Sequence, residues 1–291
     1  AAQLGALETT DLAVLTTTQI RGLASSQVLA LTTTQSGALT TTQVAALTAT
    51  QIGGLTATQV PSLSTTQLGA IGTTALAGLA ASRIGALSTT QVAALTTTQL
   101  GALSAAQVAG LEQTDIAALT TTQIGALTLD QVALITPTQA AALTSTQVAG
   151  LGTAQIQALS YNALSALSLD VMPGLTTAQV QALSNDQLLF LTTGQLQAME
   201  VADVAALSSD QLQSLSFVQV AALTTAQIAG MTSAQLSRLT AGQMSALTGD
   251  QIAAIELADL DDLTTAQVRA LGTDVASLTT AQVAGLTTAQ A

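Results

Sequence analysis

The stretch "LTTTQVAALTATQIGGLTATQVPSL", residues 39–63, repeats one eight-residue phrase three times. A leucine opens each phrase, at Leu39, Leu47 and Leu55, and a glutamine follows four residues later. Between them stand Thr or Ala, and after the glutamine come a Val or Ile and two residues that are mostly small. A period this short and this regular is the sequence signature of a repeat architecture, so it outweighs chain length as a guide to the fold.

The octad runs through nearly the whole chain of 291 residues. With the leucine as position one, Leu, Ile or Met occupies this position at every eighth residue from Leu7 to Leu271, which makes 33 octads without insertion or deletion. One seven-residue unit follows, from Leu271 to Leu278, and it keeps Val275 three residues before the next leucine. The missing residue therefore lies before the valine. The spacing from position six to the next leucine is the feature that the repeat preserves.

Neither a uniform strand nor a uniform helix accommodates this period. In a strand, positions one and six would point to opposite faces, because they are an odd number of residues apart. In a continuous helix, eight residues advance about 80° beyond two whole turns, so the leucines would wind around the axis. The sequence therefore predicts a structure that restarts in every octad.

A short helix that begins anew in each octad gives every recurrent residue a role. Thr40 and Gln43 have the spacing of a capping box, in which each side chain accepts the backbone N–H of the other residue. Leu39 and Val44 then occupy the two positions of a hydrophobic staple. Leu47 ends this helix and precedes the cap of the next one. We therefore predict one helix per octad.

Helices this short are not stable alone, since helix nucleation is costly, so each must pack on its neighbours. We predict an all-α solenoid of very short helices, one per octad, that spans residues 1–291 as a single domain. Its ends resemble its interior, and we expect the chain to be a segment of a longer array. Pro61 and Pro173 at position seven indicate that some helices are little more than one turn and partly 3₁₀, whereas Pro137 falls at a first helical position. A Thr-rich right-handed β-solenoid is the alternative fold.

Composition excludes several classes of function. The chain has four Arg, no Lys and 16 acidic residues, a net charge of -12, which is unsuited to binding nucleic acid. It has no Cys and no His, so disulfides, thiolate chemistry and zinc sites are excluded, and we expect no cofactor. Thr and Gln interrupt every apolar run, so no segment predicts a transmembrane helix. We expect no membrane insertion.

Four octads carry a coupled change of cap. Where the cap residue is Glu, the glutamine position is Asp, and no Glu stands elsewhere. The four pairs are Glu8 with Asp11, Glu112 with Asp115, Glu200 with Asp203, and Glu256 with Asp259. We interpret them as an alternative helix start, because carboxylates are favourable at the positive end of a helix dipole. Calcium binding through clustered carboxylates is the second interpretation, although the sequence contains no known calcium-binding loop and we assign no metal ligand.

No constellation of residues predicts catalysis. Without His or Lys, nothing in the sequence activates the many Ser and Thr hydroxyls as nucleophiles. The three aromatic residues, Tyr161, Phe190 and Phe217, are scattered in the sequence, and we expect them to fill gaps between repeats. We predict that the chain is not an enzyme and assign no catalytic or cofactor-binding residue.

The runs "LSTTQVAALTTTQL" at 87–100 and "LTTAQVAGLTTAQ" at 278–290 resemble the Ala/Thr/Gln-rich octapeptide-repeat regions of very large proteobacterial surface and secreted exoproteins. Such proteins are often labelled adhesins or haem-utilisation proteins. The resemblance covers the whole chain at the level of the repeat. It implies an extracellular or cell-surface location and a role in adhesion or assembly. The absence of His argues against haem as a ligand.

Three functional hypotheses follow. The first is a structural extracellular protein that contributes to a filament, sheath, surface layer or adhesin stalk by solenoid stacking and self-association, with further copies of itself as partners. The second is binding to ice or another lattice through rows of Thr. The third is a generic protein-interaction solenoid.

Overall fold

The computed structural model describes residues 6–290, and its backbone contacts divide the chain into two units, residues 1–143 and 144–291. Both units are built from short helices, one in each octad, and the described residues contain no strand. The all-α solenoid is thus confirmed, and the β-solenoid alternative is wrong. No described helix combines the length and apolarity needed to cross a membrane.

The helices are four to six residues long, apart from one 3₁₀-helix of three residues. Those of the first unit are Thr9–Ala13, Thr17–Arg21, Ser25–Leu29, Thr33–Ala38, Thr41–Ala46, Ala49–Gly53, the 3₁₀-helix Val60–Ser62, Thr65–Ala70, Thr73–Leu76, Ala81–Ile84, Thr89–Ala93, Thr97–Ala102, Ala105–Ala109, Gln113–Ala118, Thr121–Gly125, Leu129–Ala133 and Pro137–Ala141.

Those of the second unit are Ser145–Ala149, Thr153–Ala158, Tyr161–Ala166, the 3₁₀-helix Leu169–Gly174, Thr177–Ala182, Asn185–Phe190, Thr193–Ala198, Val201–Ala205, Ser209–Ser214, Phe217–Ala222, Thr225–Ala229, Ser233–Leu236, Ala241–Met244, Gly249–Ala253, Leu257–Leu260, Thr265–Ala270, the 3₁₀-helix Gly272–Ser277 and Thr280–Gly285.

The predicted helix start is confirmed in the octad that begins at Leu39. Thr40 is the N-cap, its Oγ1 accepts the N–H of Gln43 at 3.2 Å, and Gln43 Oε1 accepts the N–H of Thr40 at 2.8 Å. Val44 is fully buried, and Leu47 has extended backbone angles, φ -64° and ψ 137°, that end the helix and begin the next turn of chain. Local capping therefore determines where each helix begins and ends.

The prolines behave as their positions predict. Pro137 is the first residue of an α-helix, where its missing N–H costs no hydrogen bond. Pro61 and Pro173 both lie in 3₁₀-helices. The tighter turn suits these octads because proline cannot donate the i→i−4 bond that an α-helix requires.

Contacts between octads set the period of the solenoid within the first unit. The helix Thr17–Arg21 packs on Thr41–Ala46, three octads later, and Arg21 Nε donates to the carbonyl of Ala46 at 3.2 Å across 25 residues. In the opposite direction, Gln43 reaches carbonyls 28 and 31 residues earlier. Each octad thus lies between octads three and four repeats away. One turn contains about 28 residues, or three and a half octads, and successive turns are offset by half an octad.

Positions one and six of the octad form the core. Val44, Ile124 and Leu188 at position six have no exposed surface, and Leu47 and Leu95 at position one are 5% and 2% exposed. Their side chains are three residues apart along the helix and share one face. The octad thus repeats its apolar pair in every unit of the solenoid, as predicted.

The seven-residue unit is accommodated by one unusual backbone conformation. Gly272 has φ +56°, the only positive φ among residues 6–290, and the 3₁₀-helix Gly272–Ser277 follows it. Leu278 still donates its N–H to the carbonyl of Val275 at 3.1 Å, so the residue is missing before the valine, as the spacing predicts. The glutamine bonds that cross this unit span 27 residues instead of 28, as between Gln282 and Ile255.

Replacing Gly272 with Ala is expected to lower the free energy of unfolding by about 1–2 kcal/mol, the cost of a left-handed conformation for a residue with a Cβ. A Cβ at this position would have no heavy atom within 4 Å, so the cost is purely conformational. Gly69→Ala is the matched control, because its Cβ would also be free of contacts but lies in the helix Thr65–Ala70. It should stabilise by about 0.5–1 kcal/mol. Urea unfolding of the two variants should give opposite signs; equal effects would contradict the assignment.

Candidate functional site

The glutamine at position five joins each turn to the turn before it. Besides capping its own helix, Gln43 donates through Nε2 to the carbonyl of Leu12 at 2.7 Å and to that of Leu15 at 2.9 Å. These carbonyls lie at the end of the helix four octads earlier, where no intrahelical donor is available. Gln43 is only 2% exposed. One buried amide therefore provides hydrogen-bond partners for a backbone N–H at the start of its own helix and for backbone carbonyls at the end of another helix.

The same bond recurs throughout both units, and we refer to the series as the glutamine ladder. The glutamines whose Nε2 donates to the carbonyl 28 residues earlier within the same unit are Gln35, Gln43, Gln51, Gln59, Gln67, Gln91, Gln99, Gln107, Gln123, Gln131 and Gln139 in the first unit and Gln179, Gln187, Gln195, Gln211, Gln219, Gln227, Gln235, Gln243, Gln251 and Gln267 in the second.

Sequence reasoning explained the glutamine only as part of the capping box and missed the ladder. A signal was present, because Glu serves a capping box as well as Gln does, yet no Glu stands at position five anywhere in the chain. Only the amide has both an acceptor for the cap and donors for a second partner. Gln is the usual residue at this position and Asp, Ala, Arg or Val stands there in the other octads, so the lack of Glu indicates that a donor is preferred.

The structure places the four acidic pairs in helix starts and does not bring them together. The N–H of Glu112 donates to Asp115 Oδ2 at 3.1 Å, and the Glu8 pair forms the same box. Two aspartates instead accept hydroxyls from the octad three repeats earlier: Asp203 from Thr177 at 3.0 Å and Asp259 from Ser233 at 2.5 Å. Within residues 6–290, no group of three or more acidic side chains is placed to hold a metal ion.

Asp203 occupies a ladder position with a side chain that cannot donate when ionised. It is 3% exposed. Burial raises the pKa of its carboxyl above the usual value of 3.8, the hydrogen bond from Thr177 lowers it, and the charge of Glu200 raises it. The net effect is a raised pKa, so the ionised form is disfavoured in the folded state.

Replacing Asp203 with Asn is expected to stabilise the protein at neutral pH and to have a smaller effect in acid. Because the pKa is raised on folding, the stability of the wild-type protein falls as pH rises through the folded pKa, and the uncharged Asn removes this loss. Urea unfolding between about pH 3 and about pH 7 should therefore show a gain that grows with pH. Asp210→Asn, at an exposed position, is the matched control. A gain independent of pH would argue against burial of the charge.

The aromatic residues lie on the surface, which corrects the prediction that they fill gaps between repeats. The rings of Tyr161 and Phe190 stack with centroids 4.8 Å apart and planes 7° from parallel, and the side chains are 41% and 48% exposed. The Tyr161 hydroxyl donates to Asp186 Oδ2 at 3.3 Å. Phe217 is 59% exposed. Because the two stacked residues are 29 positions apart, their pairing follows from the turn period and could not be found in the octad alone.

Large residues at position three of the second unit are matched by glycines one turn later. A Cβ on Gly230 would approach Val201 Cγ1 to 2.3 Å, and a Cβ on Gly242 would approach the Phe217 ring to 2.7 Å. Opposite Tyr161, the neighbouring turn has Phe190 in place of a glycine, and the two rings stack. These glycines therefore provide room for side chains of the neighbouring turn, and this explains their irregular distribution among the octads.

Clefts on the described surface are shallow and are formed by the repeats themselves. One of about 350 Å³ lies between the helix Gln113–Ala118 and Ala141, and another of about 490 Å³ has a polar lining that includes Gln157, Asn185 and Asp210. Each lies between octads in adjacent turns. Their lining residues contribute no paired acid and base and no activated nucleophile, so we assign no catalytic role to them.

The octad itself identifies the chain. The family model for the ALTTAQ repeat matches residues 4–41, 84–113, 108–145, 196–233 and 252–288, which together make up more than half of the sequence. The chain belongs to the ALTTAQ repeat family. The hexapeptide stands in this chain at Ala222–Gln227 and corresponds to positions eight, one, two, three, four and five of the octad. The name of the ALTTAQ repeat thus contains the staple leucine, the cap and the ladder glutamine.

The ALTTAQ repeat accounts for the local geometry of both units, including the stretches that the family model does not match. Residues 146–195, which lie outside the matched ranges, retain the helix starts and the ladder at Gln179 and Gln187. The comparison with curated proteins found no match. The family therefore establishes a repeat protein, and its role has to be argued from the arrangement of the repeats.

Proposed function

We propose that this ALTTAQ repeat chain is a structural, non-enzymatic protein that acts outside the cell or at its surface. It would contribute to a filament, sheath, surface layer or stalk by stacking of its solenoid turns and by self-association. The observation that carries the proposal is the glutamine ladder, because the same inter-turn bond recurs in most octads. A protein selected for a single site would be expected to vary its repeats around that site, and these vary little.

The hydrogen bonds that join turns run from a side-chain amide of one turn to the backbone carbonyls of another. The same kind of bond could join turns of different copies. Head-to-tail contacts between copies extend into filaments when they do not close.

Electron microscopy and sedimentation of the purified chain test this proposal directly. We expect rods or polymers whose proportion grows with protein concentration. Dispersed compact monomers at all concentrations would overturn the proposal.

Binding to ice or another lattice is the second candidate. The supporting observation is that threonines at position three, such as Thr41, Thr97 and Thr121, are exposed. Because adjacent turns are offset, however, position three lies beside position four or position eight of the next turn, as Phe217 lies beside Gly242 and Val201 beside Gly230, so these threonines do not stack directly on one another. Thermal hysteresis and ice-shaping assays decide this candidate: growth of unshaped crystals at the normal freezing point would dismiss it.

A further inference from the structure

One octad of the first unit has no polar side chain at either the cap position or the ladder position. In the octad from Ile71 to Gly78, Gly72 replaces the hydroxyl cap and Ala75 replaces the ladder glutamine. The helix Thr73–Leu76 still forms, but it has no side-chain cap. Ala75 is 8% exposed, so the position remains inside the repeat. This octad therefore forms its helix but lacks the buried glutamine amide that other octads have at position five.

A neighbouring octad shows what that amide would bond. Gln99 donates through Nε2 to the carbonyls of Leu68 and Ile71, both at 2.9 Å, and its Oε1 accepts the N–H of Thr96 at 3.0 Å. Longer bonds join Nε2 to the Gly69 carbonyl at 3.4 Å and the Thr96 hydroxyl to Oε1 at 3.2 Å, so the amide donates to the preceding turn and accepts from its own octad.

The equivalent groups around Ala75 are the carbonyls of Val44 and Leu47 and the N–H of Gly72. The Gly72 N–H and the Leu47 carbonyl have no hydrogen-bond partner, and the Val44 carbonyl accepts only the N–H of Leu47 at 3.1 Å. One donor and two acceptors therefore face the position where other octads hold a primary amide. Leu47 is buried, and a buried carbonyl without a partner is costly, whereas Gly72 is exposed and its N–H is open to solvent.

Leu47 and Gly72 line a cleft of about 460 Å³. It is lined by residues 45–49 of one turn, residues 72–75 of the next, and Arg21. The Arg21 guanidinium is held by its bond from Nε to the Ala46 carbonyl. A volume in this range admits a small organic ligand. Space and unsatisfied hydrogen-bonding groups thus coincide at one position.

We propose that this cleft binds a primary carboxamide, either as a small free amide or as the side-chain amide of a glutamine from a second copy. The amide N–H₂ would donate to the carbonyls of Leu47 and Val44, and the amide oxygen would accept the N–H of Gly72. A carboxylate of the same shape has no donor and would face two carbonyl oxygens, so the cleft rejects it. A tertiary amide fails for the same reason.

Titration with propionamide, followed by the backbone resonance of Gly72 in NMR spectra, tests the proposal. We expect a saturable shift with a midpoint on the order of 10 mM, as is typical of a ligand with so few atoms. Propionate and N,N-dimethylpropionamide should give no saturable shift. If a glutamine of a second copy is the occupant, the Gly72 shift should instead change with protein concentration, and propionamide should reverse it.

Two variants complete the design. Ala75→Gln supplies the amide covalently, so it should abolish the propionamide response and raise Tm by roughly 5 °C. Ala77→Gln adds the same side chain at an exposed position of the same octad and should leave the response intact. A linear, unsaturated shift, as expected of a cleft that holds only water, would overturn the proposal. So would an Ala75→Gln variant that still responds.

Discussion

Replacing Gln131 with alanine is expected to lower the free energy of unfolding by roughly 2–6 kcal/mol, one of the two largest effects that we expect from a single substitution. Gln131 is 1% exposed. Its Nε2 donates to the carbonyls of Leu100 and Leu103 at 2.8 and 2.6 Å, and its Oε1 accepts the N–H of Thr128 at 2.8 Å. The Leu100 carbonyl also accepts the N–H of Leu103, so removal of the side chain leaves two backbone groups, the Leu103 carbonyl and the Thr128 N–H, without a partner, and each costs about 1–3 kcal/mol.

The variant Gln131→Glu distinguishes the role of the side chain as a hydrogen-bond donor from its role in capping the helix. This change keeps the shape and the acceptor for Thr128, but it places a carboxylate opposite two carbonyls. We expect destabilisation at neutral pH at least as large as that of alanine, with partial recovery in acid, since a protonated Glu can donate. Gln113→Ala, at an exposed position, should change stability by less than about 0.5 kcal/mol.

Urea unfolding and hydrogen exchange check these values. Because turns interact mainly with adjacent turns, exchange should accelerate first near residues 100–103 and 128–131. A loss of stability equal to that of Gln113→Ala would refute the ladder as a source of stability. Uniform acceleration across residues 6–143 would indicate instead that this unit unfolds as one cooperative body.

Replacing Ile124 with alanine is expected to cost about 2–5 kcal/mol, the range for removing a fully buried Ile. Ile124 has no exposed surface, and its helix, Thr121–Gly125, is too short to be stable without the packing of position six. Ile124→Val removes one methylene and should cost only about 0.5–1.5 kcal/mol. The ratio of the two effects measures how far the turn relaxes around the cavity.

Thermal unfolding and urea unfolding both report on the Ile124 series. The octad from Ile135 to Ala142 tolerates a natural alanine, Ala140, at position six, where it is fully buried. If Ile124→Ala were as mild as Ile124→Val, position six would be adaptable rather than close-packed. That result would argue against packing as the reason for the preserved spacing to the next leucine.

The helix boundaries and the core could be predicted from the sequence because they rest on contacts within one octad. The cap of Thr40 by Gln43, the end of the helix at Leu47 and the burial of Val44 all involve residues fewer than eight positions apart. The 3₁₀ character at Pro61 and Pro173 follows from the missing N–H of proline. The periodic sequence therefore specified the repeating helix start with little ambiguity.

The candidate sites could not be predicted in the same way. The stacked Tyr161 and Phe190, the glycine opposite Phe217 and the cleft beside Ala75 each join residues 25 to 31 positions apart. No multiple of eight equals this separation, so comparison of equivalent octad positions does not bring such residues together. The sequence contained a signal, the predominance of glutamine and the lack of glutamate at position five, but not the identity of the second partner of the glutamine.

By itself, the sequence determined that every octad begins a helix with a cap, a staple and a two-residue apolar face. Only the tertiary structure decided that about three and a half octads complete a turn, because this number depends on the angle between successive helices and not on any contact within one. That half-octad offset places the amide of Gln43 against the carbonyls of Leu12 and Leu15. The residues of one octad therefore determine each helix, and the angle between successive helices determines which side-chain amides and backbone carbonyls come into contact.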